Sequence, residues 1–362
     1  MTASAPPVAV WCTRCPVPTA TGVAIDTGLL SEGLARCGAR VASITGTAAG
    51  EAHFDHRLPA LFREGGNVPA LWARGRGEDT RLIGLTWVPE MQAIVARRDS
   101  GLRDASDLAG ARVVLPTHGG DRVDFFRAMA LRGIDATLRA HGLDLRDIVL
   151  VDVPSALPGV TDTGAEGFYG STLRALEEGL GDVAYLKGAP GADALAAADL
   201  VVLHDLATGD DRRGQVNNGT PRTLTVSAAL LDERPDIVAQ YVATLRRTAR
   251  WAASHPAEVA AVVTEETGSS PAGVARAYGP DLHARLEPAL PDTWLDLLED
   301  QRRFLVRHNI VADSFTVADW ADRRPLLASA ALLDGTDGTD GTGLTDSTTV
   351  PHPPALNPTK DD

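Results

Sequence analysis

Lysine is nearly absent from this chain. Only Lys187 and Lys360 occur in 362 residues, so almost every cation is an arginine. Schiff-base chemistry is thereby confined to Lys187, because Lys360 lies in a tail rich in Gly, Thr, Asp and Pro. Cysteine is scarce as well, and three cysteines in a chain of this length supply no disulfide framework. No apolar run approaches the roughly 20 residues of a membrane span, which argues against a membrane partner. The residues before Val8 carry no basic stretch, and Val8–Cys12 is too short for an export-signal core, so the expected location is the cytoplasm. Positive charge is in deficit. A net charge of −14 and a pI of about 5.1 argue against nucleic acid and an anionic membrane surface as partners.

What the chain does have is a cysteine held between prolines, Arg14-Cys15-Pro16-Val17-Pro18. It follows the apolar run Val8–Cys12 and precedes a helix-like stretch from Ala20. Prolines fix φ and donate no backbone hydrogen bond, so the turn is stiff and keeps the thiol at the C-terminal edge of a sheet. Open α/β proteins bind ligands at that edge. A plain buried cysteine is the competing reading. About forty residues on comes a second cluster, His53-Phe54 and then Arg63-Glu64-Gly65-Gly66-Asn67-Val68-Pro69. A thiol, an imidazole, a guanidinium and a glycine pair ahead of a helix together make an anion-handling site. Asn67 is expected to cap that helix, with Pro69 in its first turn.

Short β-like runs alternate with longer helical patterns along the rest of the chain. Strands are expected at Val8–Cys12, Val41–Thr45, Thr80–Trp87, Met91–Arg97, Ala111–Leu115, Ile148–Val153, Asp182–Leu186, Leu200–His204 and Thr223–Ser227. Helices are expected at Leu29–Cys37, Val123–Ala140, Ser171–Gly179, Pro235–His255 and Pro256–Glu266. This alternation predicts an α/β protein with a largely parallel sheet. The order of elements predicts two lobes and a cleft. Residues 1–115 would form a first lobe, 116–215 a second, and 216–334 the return to the first with C-terminal helices. Residues 335–362 cannot bury apolar surface and read as a disordered tail. Cys15, His53 and Arg63 would then occupy one wall, with Thr117-His118-Gly119-Gly120 opposite.

These residues resemble two nested families. The stretch Leu102 to Val113 is similar to the Asp-Leu-x-Gly-x-x-Val signature of type II periplasmic-binding-protein-like folds, in their sulfonate, nitrate and thiamine-precursor branch. Arg234–Val238 and Trp251–Pro256 resemble the late helical pair of that branch. More narrowly, Cys15-Pro16-Val17-Pro18, His53-Phe54, Pro59-Ala60 and Arg63 followed by Gly65-Gly66 and Pro69 resemble the aryl-sulfinate desulfinases. The joint spacing of Cys15, His53, Arg63 and Gly66 is what makes the match specific. It is clearest over residues 10–115 and 225–325. In the middle segment, with aromatics only 5% of the chain, none of the family's aromatic pocket residues is assigned.

The resemblance implies a two-lobed, cofactor-free, monomeric enzyme that takes a small aryl sulfinate. Cys15, His53 and Arg63 would be catalytic. Phe54, Gly65 and Gly66 would bind substrate; Thr117 and Gly119, named by their place opposite in the cleft and not by the resemblance, would either touch substrate or form a plain inter-lobe turn. Arg63 can hold the sulfinate with paired charge-assisted hydrogen bonds of roughly 1.5–3 kcal/mol each, and the glycines let backbone N–H groups come close. Cys15 would serve either as the acid that protonates the ring carbon or as a nucleophile on sulfur. A surface ion pair of Arg63 with Glu64 or Glu51 is the bland alternative.

Other constellations are weaker. Cys12 and Cys15 with His53 and His56 are too closely spaced for a zinc site, so no metal is expected. A redox pair would open its helix directly, which Pro16 and Pro18 prevent. A pyridoxal-type enzyme would need a lysine motif that Lys187 lacks. A solute-binding protein for sulfonate-type anions is the remaining alternative function.

Overall fold

The computed structural model of the chain describes residues 6–44, 47–120, 122–155, 167–209 and 211–334. The tail, expected to stand outside the core, lies outside the described residues. Ten strands are present among them: β1 (Val8–Cys12), β2 (Ala39–Ser43), β3 (Leu61–Gly65), β4 (Thr80–Thr86), β5 (Gln92–Arg97), β6 (Arg112–Thr117), β7 (Val149–Pro154), β8 (Val183–Lys187), β9 (Leu200–Asp205) and β10 (Arg222–Ser227). They form two five-stranded sheets, ordered β2-β1-β3-β10-β4 and β7-β6-β8-β5-β9. No helix among the described residues is long and apolar enough to cross a membrane.

Both sheets are mixed, not largely parallel. β1 pairs in parallel with β2 and β3, and β6 with β7 and β8. β10 runs antiparallel to β3 and β4, and β5 antiparallel to β8 and β9. β5 and β10 are the strands on which the chain enters a sheet from the other lobe, so each arrives reversed. The crossing also comes earlier than expected. It falls at Trp87–Met91, so β5 and β6 belong to the second sheet and the expected boundary at residue 115 moves back. The sequence hides this crossing because Trp87-Val88-Pro89-Glu90-Met91 is mostly buried and lacks the small polar residues of a linker. The return lies between β9 and β10.

One consequence organises the site. The parallel strands β1, β3 and β8 end at the cleft, while the reversed strands β5 and β10 begin there. The segments after Cys12, Gly65 and Lys187 therefore meet those before Gln92 and Arg222. β3 is absent from the strands expected on sequence. Its Leu-Phe-Arg-Glu-Gly sequence puts two charges in the middle of five buried residues. Tertiary contacts hold it: Phe62 stacks on Tyr241 of the helix Pro235–Ala252, with ring centroids 3.8 Å apart.

Candidate active site

After β1 the backbone stays tied to β3 through Thr13 N–H donating to the Phe62 carbonyl at 3.3 Å. The chain then turns tightly, Val17 N–H donating to the Cys15 carbonyl at 2.7 Å. Thr19 stops the turn by capping the helix Ala20–Asp26, its hydroxyl accepting from Gly22 N–H at 2.9 Å. Cys15 is a free thiol and only 7% exposed. Cys12 does not share its site: it is fully buried within β1, and burial pushes its thiol up to about 12.

Arg14 anchors the cysteine turn from behind. Its Nε donates to Glu266 Oε1 at 3.1 Å, and burial pushes the Glu266 carboxyl up to about 7 against the pull of Arg14. Its folded value therefore lies above the ordinary 4.5. The native state keeps a proton that the unfolded chain releases, so stability falls as pH rises from about 4.5 to about 7. Glu266→Gln removes that cost. The melting-temperature difference, variant minus parent, is expected to grow across that window, and a difference independent of pH would contradict it.

Arg63 sits on β3 and is 1% exposed. Its Nε donates to the His53 carbonyl at 2.9 Å and its Nη1 to the Gly66 carbonyl at 2.7 Å. Among the described residues it forms no ion pair. The pairing alternatives are taken elsewhere: Glu64 accepts from Thr21 N–H at 2.8 Å and Thr86 Oγ1 at 3.1 Å, and Glu51 pairs with Arg122. His53 lies on a single helical turn, Ala52–Asp55, edge-on to Phe54. Burial, then the charges of Arg63 and His56, hold its pKa well below the usual range, so the ring is neutral. Its Nδ1 has no hydrogen-bond partner among the described residues.

The two glycines are spatial requirements. A Cβ on Gly65 would stand 2.6 Å from Cys15 Sγ, and one on Gly66 would stand 2.6 Å from Asn218 Oδ1. Gly65→Ala should therefore shift the thiol while leaving Arg63 in place. We expect at least a tenfold loss of turnover with little change in affinity for a sulfinate, measured by steady-state kinetics and calorimetry. Full turnover in this variant would show that the thiol position is not critical. Beyond Gly66 the helix Asn67–Gly75 begins, and the expected Asn67 cap is corrected. Asn218 does the capping instead, its Oδ1 accepting from Val68 N–H at 2.9 Å and its carbonyl from Asn67 N–H at 2.6 Å. The Asn67 side chain donates to the Asn217 and Pro221 carbonyls. The helix start is thus partly satisfied from within the protein and offers fewer free N–H groups to an anion than expected.

Cys15, His53, Phe54, Arg63 and Gly66 all line one cavity between the lobes. Gly65 does not line it but backs Cys15. Thr117 and Gly119 are not among the lining residues, which corrects the expected opposite wall. The backbone there serves the following helix instead. His118 N–H donates to Asp124 Oδ2 at 2.6 Å, next to the start of the helix Phe125–Ala140. The second-lobe wall is aromatic, built from Phe125, Phe126, Phe168 and Tyr169, with Tyr278 from the first-lobe return. Phe54 and Phe125 stack across the cleft at 6.2 Å, and Phe126 meets Tyr169 at 5.5 Å. An adjacent Phe-Phe pair at a helix start, in a chain so poor in aromatics, is the signal that sequence offers for this wall.

Comparison with known proteins bears directly on this arrangement. No protein-family model matches the chain. It is 29% identical over 337 residues to 2'-hydroxybiphenyl-2-sulfinate desulfinases of Rhodococcus erythropolis and Rhodococcus qingshengii, covering 85% of this chain and 90% of each relative. The crystal structure of the desulfurization enzyme DSZB, as a Cys-to-Ser mutant in complex with biphenyl-2-sulfinic acid, superposes with a TM-score of 0.72. There identity is 26%, with 90% of this chain and 99% of that one covered. The chain is a homologue of these desulfinases. The periplasmic aliphatic sulphonate-binding protein SsuA of Escherichia coli shares the fold, with a TM-score of 0.63, 14% identity, and 98% and 99% coverage. The expected periplasmic-binding-protein-like architecture is therefore the one observed.

Within this desulfinase-like frame the cavity holds a charged group that sequence spacing does not single out. Glu90, in the first crossing, is buried beside Lys187 at the end of β8, with Nζ 3.0 Å from Oε1. Arg222, at the start of β10, lies 3.4 Å from Oε2, and Thr220 Oγ1 donates to Oε1 at 3.1 Å. On sequence Lys187 is a candidate only for Schiff-base chemistry. Here it is a paired cation, and nothing in the spacing of residues 90, 187 and 222 connects them.

Proposed function

We propose that this protein cleaves the C–S bond of an aromatic sulfinate, releasing sulfite and the desulfurised arene. The carrying observation is that a buried free thiol and a buried arginine without an ion pair among the described residues line the same aromatic-walled cavity. Arg63 is already fixed by two carbonyls through Nε and Nη1, so its remaining N–H groups are pre-oriented for the sulfinate oxygens. The aromatic walls take the ring and exclude water.

Cys15 then donates its proton to the ring carbon bearing sulfur. The C–S bond breaks with its electron pair going to the new C–H bond. Sulfur leaves as SO2, which water converts to bisulfite, and the thiolate recovers a proton from solvent. The balance is ArSO2⁻ plus H2O giving ArH plus HSO3⁻, with no external oxidant or reductant. The acid role is favoured over attack on sulfur because no hydrogen bond joins His53 to Cys15 among the described residues, so no base is poised to generate a thiolate. Neutral His53 instead supports Arg63 through its carbonyl. At about 90 Å³ the cavity is smaller than the ~150 Å³ space that holds a benzene ring. A single-ring sulfinate thus fits with less rearrangement than a biphenyl.

The test is to incubate the purified protein with benzenesulfinate, biphenyl-2-sulfinate and an alkyl sulfinate and to measure sulfite. Release from the aryl compounds supports the reading. Tight binding of all three with no sulfite would replace it with the solute-binding function open to this fold.

A further inference from the structure

Three side chains that carry charge line the cavity, Arg63, Lys187 and Glu90, and a fourth, Arg222, stands behind Glu90. All four residues are buried, Glu90 and Arg222 having fully buried side chains. Glu90 is shared between two cations, so this cluster carries one positive charge in excess. Arg63 carries another. The neighbouring Glu64 cannot offset it, because burial raises its pKa and its two oxygens are turned to Thr21 and Thr86. Buried charge is costly unless paired. A sulfinate on Arg63 supplies one negative charge and leaves the second pole uncompensated.

We infer that the substrate carries a second acidic group, a carboxylate on the aromatic ring, that is received by Lys187. The inference rests on the proposed sulfinate chemistry at Arg63 and names the class of sulfinate more narrowly: a sulfinobenzoate. Three features support Lys187 as the receiver. It lines the cavity, whereas Arg222 is held behind Glu90 and Tyr278. An ammonium has three donors, and among the described residues the Lys187 side chain makes a single ion pair, to Glu90 Oε1. Gly219 keeps the approach open, since a Cβ there would stand 2.0 Å from Glu90 Oε1 and 2.7 Å from Lys187 Nζ. Glu90 orients the ammonium, and Arg222 prevents Glu90 from cancelling it. Tyr169 holds the backbone in place, its hydroxyl accepting from Lys187 N–H at 2.8 Å.

Sulfite release from 3-sulfinobenzoate and from benzenesulfinate decides the matter. The parent protein is expected to prefer the carboxylated compound at least thirtyfold in kcat/KM. Lys187→Gln is expected to bring that ratio within threefold of unity, and Lys187→Arg to keep most of it. Equal kcat/KM for the two probes in the parent would overturn the inference while leaving the desulfinase reading intact. If neither probe nor biphenyl-2-sulfinate releases sulfite, the desulfinase reading fails, and calorimetric affinities of 3-sulfinobenzoate and benzenesulfinate still decide the second pole. A preference below threefold in affinity sinks it there as well. Should Lys187→Gln not fold, the ratio measured in the parent is sufficient.

Discussion

Cys15→Ser is expected to lower sulfite release by roughly 10²–10⁴-fold, with the fold and the affinity for a sulfinate nearly unchanged. The substitution changes little in volume at a residue that is 7% exposed, so packing against Gly65 should survive. What changes is acidity. A thiol gives up its proton far more readily than a serine hydroxyl, and proton transfer by a placed side chain is worth roughly 10²–10⁴-fold. Neither Arg63 nor His53 replaces it. Arg63 stays protonated near neutral pH, and His53 is held neutral by burial and by Arg63. Affinity should persist because the sulfinate contacts lie on Arg63. Turnover within tenfold of the parent would remove Cys15 from the chemistry. Cys12→Ser is the control: it lies in the core of β1, outside the cavity, and should keep turnover while lowering the melting temperature. A capture experiment separates the two cysteine roles, since a Cys15–S–SO2 adduct detected by mass spectrometry would favour attack on sulfur over protonation.

The first half of this site is legible in the sequence because its residues are close together and carried by local geometry. Two prolines fix the Cys15 turn, and His53 and Arg63 are ten positions apart. Strand positions are readable wherever apolar runs are uninterrupted, as in β1, β5 and β8. β3 is not, because its stability comes from contacts its own sequence does not display. Arg63 is accommodated by the His53 and Gly66 carbonyls, which flank β3, Glu64 by Thr21 and Thr86, and Phe62 by Tyr241. The second half of the site is illegible for a related reason. Glu90, Lys187, Asn218 and Gly219 stand at strand ends brought together only by the double crossing between lobes. Each alone reads as a loop residue or a strand end. Thr117 and Gly119 look like ligand residues because they stand at the end of β6 and just beyond it, but Asp124 holds that turn for the helix behind it.

Arg63→Lys is the second large effect, expected to raise KM for benzenesulfinate by about 30-fold or more and to lower kcat as well. Arginine here does two jobs at once. Nε and Nη1 hold the His53 and Gly66 carbonyls, and the rest of the fork faces the anion. A lysine ammonium is a single point donor on a flexible stem and cannot reproduce a planar fork. It must abandon either the carbonyls or the sulfinate. Losing one charge-assisted hydrogen bond of roughly 1.5–3 kcal/mol corresponds to about 10–150-fold in affinity. The fall in kcat follows from geometry: with the His53 and Gly66 carbonyls released, the C–S bond is no longer aimed at Cys15, and misplacement by about 1 Å can cost 10²-fold. Inhibition by free sulfite provides an independent readout that does not depend on turnover. It should weaken in parallel with KM, and unchanged inhibition in Arg63→Lys would take the arginine out of the anion site.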